Sequence, residues 1–410
     1  MLAALDNGVK GSKWYSMMDK VYSSQTLRAA WLKVASNGGA AGVDRMSTQR
    51  FGVKADQYLR ELEVDLQKGT YQPEAVRRVH IPKGPGQTRP LGIPTVKDRV
   101  VQTAMKMVLE PIFEREFLSM SYGFRPGRGC KDALREVDQL VKAGFVWVVD
   151  ADLKSYFDSI PHTHLIDRVK EKVSDGRILD LLESFIEQDI MDGLECWKPV
   201  SGTPQGAVIS PLLSNLYLHP LDRLMTESGY KMVRYADDFV VLCRSKDEAE
   251  AALGQVCAWT EGNGLNLHPE KTHLGNCLDK GQGFDFLGYR FECGRRFVRK
   301  KSLKALADKI RMKTERSRSG SLRDIIGELN PMLRGWFAYF KHAIVGTFRD
   351  IDGFVRRRLR ALLRRRKNKP GQGHCYADHR QWPNAFFAQR GLFTMHEAFA
   401  VARQSRCGNH

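Results

Sequence analysis

The amino-acid sequence predicts an α+β region followed by an all-helical basic region, and three observations carry that expectation. Up to about residue 298, short runs of β-branched and aromatic residues are interleaved with stretches of helical apolar spacing. Past that point the spacing is helical to the end, interrupted by loops at 316–321 (RSRSGS) and 368–374 (NKPGQGH). Charge divides the chain at the same place. Gly294 to Lys369 holds 24 Lys/Arg against 6 Asp/Glu, a surplus equal to the whole chain's +18, and residues 1–293 are slightly acidic.

In chain order, residues 12–35 have amphipathic helical spacing and stop at the glycine-rich 37–42 (NGGAAG). Residues 55–68 (ADQYLRELEVDLQK) are spaced as a helix. Residues 76–83 (VRRVHIPK) alternate as a strand does, and 84–94 (GPGQTRPLGIP) form a loop and a second strand. Helix returns over 97–118. A buried strand, 144–153 (GFVWVVDADL), carries acids at its C-terminal end and precedes a helix near 162–173. An apolar helix over 209–225 leads to a hairpin at 233–242 (VRYADDFVVL), in which Ala-Asp-Asp turns between two short strands. Residues 246–262 are helical, 284–291 (FDFLGYRF) are a strand, and no internal repeat is present.

The 410 residues are enough for two or three domains with a substantial core. A pI near 9.6, with its charge concentrated in one block, points to a polyanionic partner. No apolar run reaches the roughly 20 residues that span a bilayer, and the N-terminus lacks a signal-peptide core. Eight cysteines without a C-x-x-C suit reduced thiols in a cytoplasmic protein, so nucleic acid rather than a membrane is the expected partner.

Asp237 and Asp238 stand side by side in a run otherwise written for burial. Adjacent carboxylates raise each other's pKa unless a cation joins them, and an idle turn is served by Asn-Gly or Asp-Gly. A second acidic set, Asp150 and Asp152, closes the strand at 144–153. Mg²⁺ takes hard oxygen ligands, usually one or two carboxylates plus substrate phosphates. Asp152 with Asp237 and Asp238 on a neighbouring hairpin therefore forms a candidate site for two Mg²⁺ ions about 4 Å apart, with Mn²⁺ as a stand-in, as in two-metal phosphoryl transfer. The alternative reading, ordinary surface charge, fits poorly with the apolar strands around both clusters.

YADD (235–238) resembles the catalytic box of reverse transcriptases, and DLKSYFDSI (152–160) resembles their first palm motif. SGTPQGAVISPLLSNLYL (201–218) is similar to the Gln-Gly motif, and LNLHPEKTHLG (265–275) and FDFLGYRF (284–291) to the two that follow. IPKGPGQTRPLGIPTVKDRVVQ (81–102) and SYGFRPGRGCKDAL (121–134) look like the fingers of the group II intron reverse transcriptase/maturase family. NGGAAGVD (37–44) is similar to that family's N-terminal extension and LNPMLRGWFAYFK (329–341) to its thumb, so the resemblance runs in order from about 37 to 345.

The resemblance implies a right-hand polymerase fold with an antiparallel sheet in fingers and palm: N-terminal extension and fingers over 1–140, a catalytic palm over 141–295, an all-helical thumb or maturase domain over 296–348 and a small basic helical C-terminal domain over 349–410. It implies metal binding by Asp152, Asp237 and Asp238, joined by the backbone carbonyl of Leu153. Phe157 matches the bulky gate that excludes a 2′-hydroxyl. Lys83 and Arg89 match the residues that clamp the dNTP triphosphate, a point charge and a bidentate fork. Gln205 and Gly206 match the nucleotide and template contact, and Leu287 and Gly288 the primer grip. Lys271 stands where a general acid for pyrophosphate has been proposed, with a plain surface lysine as the competing reading.

Arg356, Arg357, Arg360, Arg364, Arg365 and Lys367, interleaved with Leu359, Leu362 and Leu363, suit a helix packed on one side and facing phosphates on the other. His374, Cys375, His379, Cys407 and His410 fit none of the usual structural zinc spacings. The expected activity is RNA-directed DNA synthesis, with group II intron RNA or another RNA template, a DNA primer or target and dNTPs as partners, together with assistance to intron splicing. A Cys/His-rich endonuclease domain is missing from the sequence, so second-strand cleavage is not expected. Two rivals stay open: a domesticated enzyme of DNA repair or phage defence, and a splicing cofactor without polymerase activity.

Overall fold

The computed structural model describes residues 13–84 and 86–407. It divides into two units, one running to Leu140 and resuming over Val149–His273, the other Val141–Val148 with Leu274 onward. In the first, α1 (Met18–Val21), α2 (Ser24–Asn37), α3 (Thr48–Val53) and α4 (Ala55–Lys68) precede a hairpin of β1 (Val76–Gly84) and β2 (Gln87–Ile93). α4 buries Leu59, Leu62 and Leu66 along one face and stops at Gly69, whose left-handed φ of 72° lets its N–H close onto the Asp65 and Leu66 carbonyls. There follow α5 (Val96–Glu114), α6 (Cys130–Lys142), β3 (Trp147–Asp152), α7 (Tyr156–Ser159), α8 (His162–Lys170) and α9 (Gly176–Ile186). A short hairpin of β4 (Ile190–Asp192) and β5 (Glu195–Trp197), the apolar α10 (Ser210–Glu227), the hairpin β6 (Lys231–Tyr235) and β7 (Asp238–Cys243), and α11 (Lys246–Gly262) complete it.

Two sheets position the chemistry of this unit. One runs β2-β1-β4-β5, with β4 parallel to β1, a departure from the antiparallel sheet the sequence suggested. In the other, β7 lies between β6 and β3, so the strand ending in Asp152 runs beside the strand beginning with Asp238. α5 is the core helix: Val100, Val101, Ala104, Met105 and Leu109 are all fully buried. Its buried Gln102 accepts at Oε1 from the backbone N–H of Val208 (2.8 Å) and holds the approach to α10.

The second unit contains β8 (His273–Asn276) and a three-stranded sheet of β9 (Phe284–Phe286), β10 (Tyr289–Glu292) and β11 (Arg295–Val298) in the order β11-β10-β9. The single strand expected over 284–291 is thus a hairpin. Leu287 (φ 47°) and Gly288 (φ 84°) both take left-handed conformations and reverse the chain. Helices α12 (Lys300–Lys313), α13 (Leu322–Phe340), α14 (Val345–Arg366), α15 (Tyr376–Gln381), α16 (Asn384–Ala388) and α17 (Met395–Cys407) follow. No helix among the described residues is long and apolar enough to cross a membrane.

At the N-terminus of α5, Asp98 is only 1% exposed. It accepts from Tyr71 Oη (2.5 Å) and Gln188 Nε2 (3.1 Å). Burial outweighs those bonds and pushes its carboxyl from 3.8 up to about 6. The folded state therefore holds a proton that the unfolded chain releases, so stability is greatest below the unfolded value and falls as pH rises through about 6. Two pK units correspond to about 3 kcal/mol, so Asp98→Asn should gain up to that much stability relative to wild type between about pH 4 and pH 7. Urea unfolding of both proteins at the two pH values checks this; parallel pH profiles would contradict it.

Candidate active site

Buried Val148, Val149 and Ala151 fix β3 in the sheet and leave Asp152, partly exposed, at its end. Beyond it, Leu153 bridges to Leu267 in antiparallel fashion. His268 N–H donates to the Asp152 carbonyl (2.7 Å) and Lys154 N–H to the Asn266 carbonyl (2.8 Å), so the bridge does not use the Leu153 carbonyl. This anchoring carries Lys271 to the strand end, where its Nζ stands 2.5 Å from Asp152 Oδ2.

Tyr235 pairs with Asp238, so the turn of the acidic hairpin is Ala236 and Asp237, and Asp238 opens β7. Ala236 takes a left-handed φ of 60°. Arg234, two residues before Ala236, is fully buried against an equally buried Asp222 of α10. It donates to both Asp222 oxygens (2.7 and 2.5 Å), to Asn215 Oδ1 (3.0 Å) and to the Ala236 carbonyl (2.9 Å). The 121–125 loop closes on the same point. Its Gly123 admits no side chain, because a Cβ there would lie 2.2 Å from the Ala236 nitrogen.

Burial is the main cause that holds the Asp237 carboxyl above the ordinary range. The charge of Asp152 pushes the same way, while Arg89 and Arg234 pull it down. Asp152 and Asp237 thus feel each other, which is what a shared cation relieves. Asp238 is half-buried. As the side chains stand, no group of three or more His, Cys, Asp or Glu among the described residues closes into a metal cage, and Asp152 spends an oxygen on Lys271. The structure therefore brings Asp152 and Asp237 into electrostatic reach without gathering all three carboxylates into one ligand set. In kind, the donors fit a hard divalent cation: carboxylates on neighbouring strands and a backbone carbonyl at Leu153.

Arg89 of β2, whose charge reaches Asp237, donates from Nε to Gln205 Oε1 (2.8 Å), and Gln205 Nε2 donates to Asp158 Oδ2 (3.1 Å). Three separate segments are joined by side chains in this way. Their backbones are joined as well, since Gly92 N–H donates to the Gln205 carbonyl (2.6 Å). Gly206 (φ 109°) must be glycine, because a Cβ there would meet the Gly92 carbonyl oxygen at 2.4 Å. Phe157 lies on α7 beside this loop, its carbonyl accepting from Thr203 N–H (2.7 Å). Lys83 is on β1, with its side chain outside what the structure describes.

In the second unit, the Leu287 carbonyl accepts from Tyr339 Oη (2.8 Å) and the Gly288 carbonyl from Arg299 N–H (2.9 Å), fixing this turn on its own sheet and α13. The basic helix α14 divides its cations between two tasks. Arg360, expected to face phosphate, is 2% exposed and donates to the Trp382 carbonyl and to Asn384 Oδ1, both at 2.9 Å. Arg364 is held by Asp378 (2.7 Å) and the Pro370 carbonyl. Both brace the C-terminal helices, and Arg360 is too buried to meet a polyanion. Arg356 and Arg357 are partly exposed, and Arg365 and Lys367 are exposed. Of the C-terminal His and Cys residues, His410 lies outside the described residues.

Asp158, Arg234 and Gly123 carry parts of the site that the sequence reading left unassigned. A signal for Arg234 was present: an arginine within a strand of buried residues requires an anionic partner, and Asp222 is a carboxylate buried in the largely apolar α10.

Residues 81–291 match the family described as reverse transcriptase (RNA-dependent DNA polymerase), and residues 303–380 the group II intron, maturase-specific domain. Protein YkfC of Escherichia coli (strain K12) is 36% identical over 302 residues, covering 64% of this chain and 78% of that protein. Group II intron-encoded protein LtrA of Lactococcus lactis subsp. cremoris is 36% identical over 206 residues, half of this chain and 34% of that protein. Among solved structures, a partial Cas6-RT-Cas1–Cas2 complex aligns at a TM-score of 0.39 and 24% identity, over 60% of this chain and 41% of that one.

Proposed function

Because this chain belongs to the reverse transcriptase family and carries its group II intron maturase-specific domain, we propose that it extends a DNA primer along an RNA template in the cytoplasm and assists splicing and reinsertion of a group II intron RNA. The observation that carries this reading is the Arg89–Gln205–Asp158 chain facing a pair of interacting carboxylates, Asp152 and Asp237. Fingers, palm and thumb are then the functional divisions of the two units.

In this reading the primer's 3′-hydroxyl gives its proton to solvent as its oxygen bonds to the α-phosphorus of a dNTP, and the bond from that phosphorus to the bridging oxygen breaks to release pyrophosphate. Asp152, Asp237, Asp238 and the Leu153 carbonyl would hold two Mg²⁺ ions, which would supply positive charge against the negative charge that develops on the attacking and leaving oxygens. Arg89, oriented by Gln205, offers its guanidinium fork to the triphosphate, with Lys83 as a second charge on the adjoining strand. Lys271, whose Nζ stands beside Asp152, gives one ammonium proton to the departing pyrophosphate and is reprotonated by solvent. Arg356, Arg357, Arg365 and Lys367 contact nucleic-acid phosphates.

Extension of a DNA primer on an RNA template with dNTPs and Mg²⁺ tests the reading. Robust extension is expected. A folded, RNA-binding protein that does not extend would leave the splicing role alone. In the same assay, Phe157→Ala should raise ribonucleotide use relative to deoxynucleotide by about 10- to 100-fold, the range over which a pocket discriminates by fit. An unchanged ratio would remove Phe157 from the gate.

A further inference from the structure

The 201–206 loop, which carries Gln205, is tied to residues 157–162 by hydrogen bonds running in both directions. From the loop, Gly202 N–H donates to the Ile160 carbonyl (2.8 Å), Thr203 N–H to the Phe157 carbonyl, and Ser201 Oγ to the Asp158 carbonyl (3.0 Å). Towards the loop comes a side chain: Nε2 of half-buried His162, the first residue of α8, lies 2.7 Å from the Gly202 carbonyl oxygen. A carbonyl only accepts, so His162 carries a proton on Nε2 and donates it. Gly202 (φ 91°) leaves no slack between the segments, because a Cβ there would lie 2.8 Å from both the Phe157 carbonyl oxygen and the Asp158 Cα.

The His162 end of this contact is fixed independently of the loop. Leu165 and Ile166 bury α8 in the core, and Leu165 N–H closes the first turn onto the Pro161 carbonyl (3.0 Å). Pro161 packs on Gly264, where a Cβ would lie 2.8 Å from Pro161 Cγ. The helix thus keeps its start without the imidazole bond, and what that bond restrains is the loop. Two groups that a nucleotide would meet depend on the loop: Gln205, which orients Arg89 (2.8 Å), and Phe157, whose carbonyl Thr203 holds. A loop free to swing at Gly202 loosens both.

Resting on the polymerase reading above, we propose that His162 is a positioning residue for the incoming nucleotide. Through the Gly202 carbonyl it keeps Gln205 and Phe157 in register, and so sets both dNTP affinity and the rejection of ribonucleotides.

The test compares wild type with His162→Phe, which keeps a ring and removes the donor, and His162→Gln, whose Nε2 sits as far along the side chain as that of the imidazole. Each full chain is bound to an RNA template carrying a DNA primer that ends in a dideoxynucleotide, and dNTP affinity is read from the stabilisation of that complex. His162→Phe should weaken dNTP binding about 2- to 10-fold, the effect of one net hydrogen bond, at an unchanged Tm. On an extendable primer it should raise the dNTP KM with little change in kcat, and raise ribonucleotide use relative to deoxynucleotide. His162→Gln should bring affinity and selectivity back towards wild type, which a merely space-filling role for the ring would not allow. Unchanged affinity and selectivity in His162→Phe overturn the proposal, as does an equal loss in both variants or a loss confined to kcat. Affinity is read on a primer that cannot be extended, so failure of wild type to polymerise is a separate result from failure of this contact.

Discussion

Asp237→Asn is expected to lower primer extension by about 10²- to 10³-fold, the scale on which removal of one preorganised electrostatic group acts at a reacting centre. The same substitution should leave the protein at least as stable as wild type near pH 7. Burial and the charge of Asp152 hold the Asp237 carboxyl above its ordinary range, so ionising it in the folded protein carries a penalty that asparagine does not. For an acid shifted this way, stability is highest when it is protonated and declines as pH rises through its folded value, so the neutral variant gains most on the alkaline side. Extension assays paired with thermal unfolding separate the two effects. Lost extension with an unchanged or raised Tm assigns Asp237 to the chemistry. A lowered Tm would make it a structural residue, and undiminished extension would remove it from the site.

Local pattern made much of this site legible. A buried strand over 144–153 with acids at its end and a hairpin turning at Ala-Asp-Asp both follow from burial pattern and turn chemistry. In the structure the strand is Trp147–Asp152, and the turn narrows to Ala236 and Asp237 because Asp238 pairs with Tyr235. Long-range pairing was harder to read. Nothing near Asp158 in sequence points to Gln205, which reaches it only because Gly206 lets the 201–206 loop lie against Gly92. The hairpin β4–β5 went unread because Ile190–Asp192 and Glu195–Trp197 are too short to show alternation; β4 acquires its place by pairing with β1, and β5 by pairing with β4. On α14, a run of arginines looked uniformly solvent-facing. Helical periodicity turns Arg360 inward with Leu359, and its guanidinium is satisfied by the Trp382 carbonyl, a partner remote in sequence. Charge counting finds a polyanion surface but does not say which cations form it.

Arg234→Met should destabilise the fold by about 3–5 kcal/mol, the cost of leaving one partner of a buried ion pair unanswered. The pair is fully enclosed, and the guanidinium also holds Asn215 Oδ1 and the Ala236 carbonyl, so the loss strands Asp222 and loosens the turn that carries Asp237. Asn215 in turn donates to the Gly123 carbonyl (2.8 Å), the glycine packed against Ala236. One arginine thus supports the acidic turn from below and, through Asn215, from the side. Two consequences separate this positioning role from simple packing. Arg234→Met with Asp222→Leu should recover much of the lost stability, since removing both charges can be neutral where removing one is not. That double variant should still extend primers poorly, chiefly through a lower kcat, because the Ala236 carbonyl stays unheld. Chemical denaturation of the two single variants and the double variant, together with single-turnover extension by the double variant, measures both. Full recovery of kcat along with stability would reduce Arg234 to a packing residue, and a double variant as unstable as Arg234→Met alone would contradict the ion-pair account.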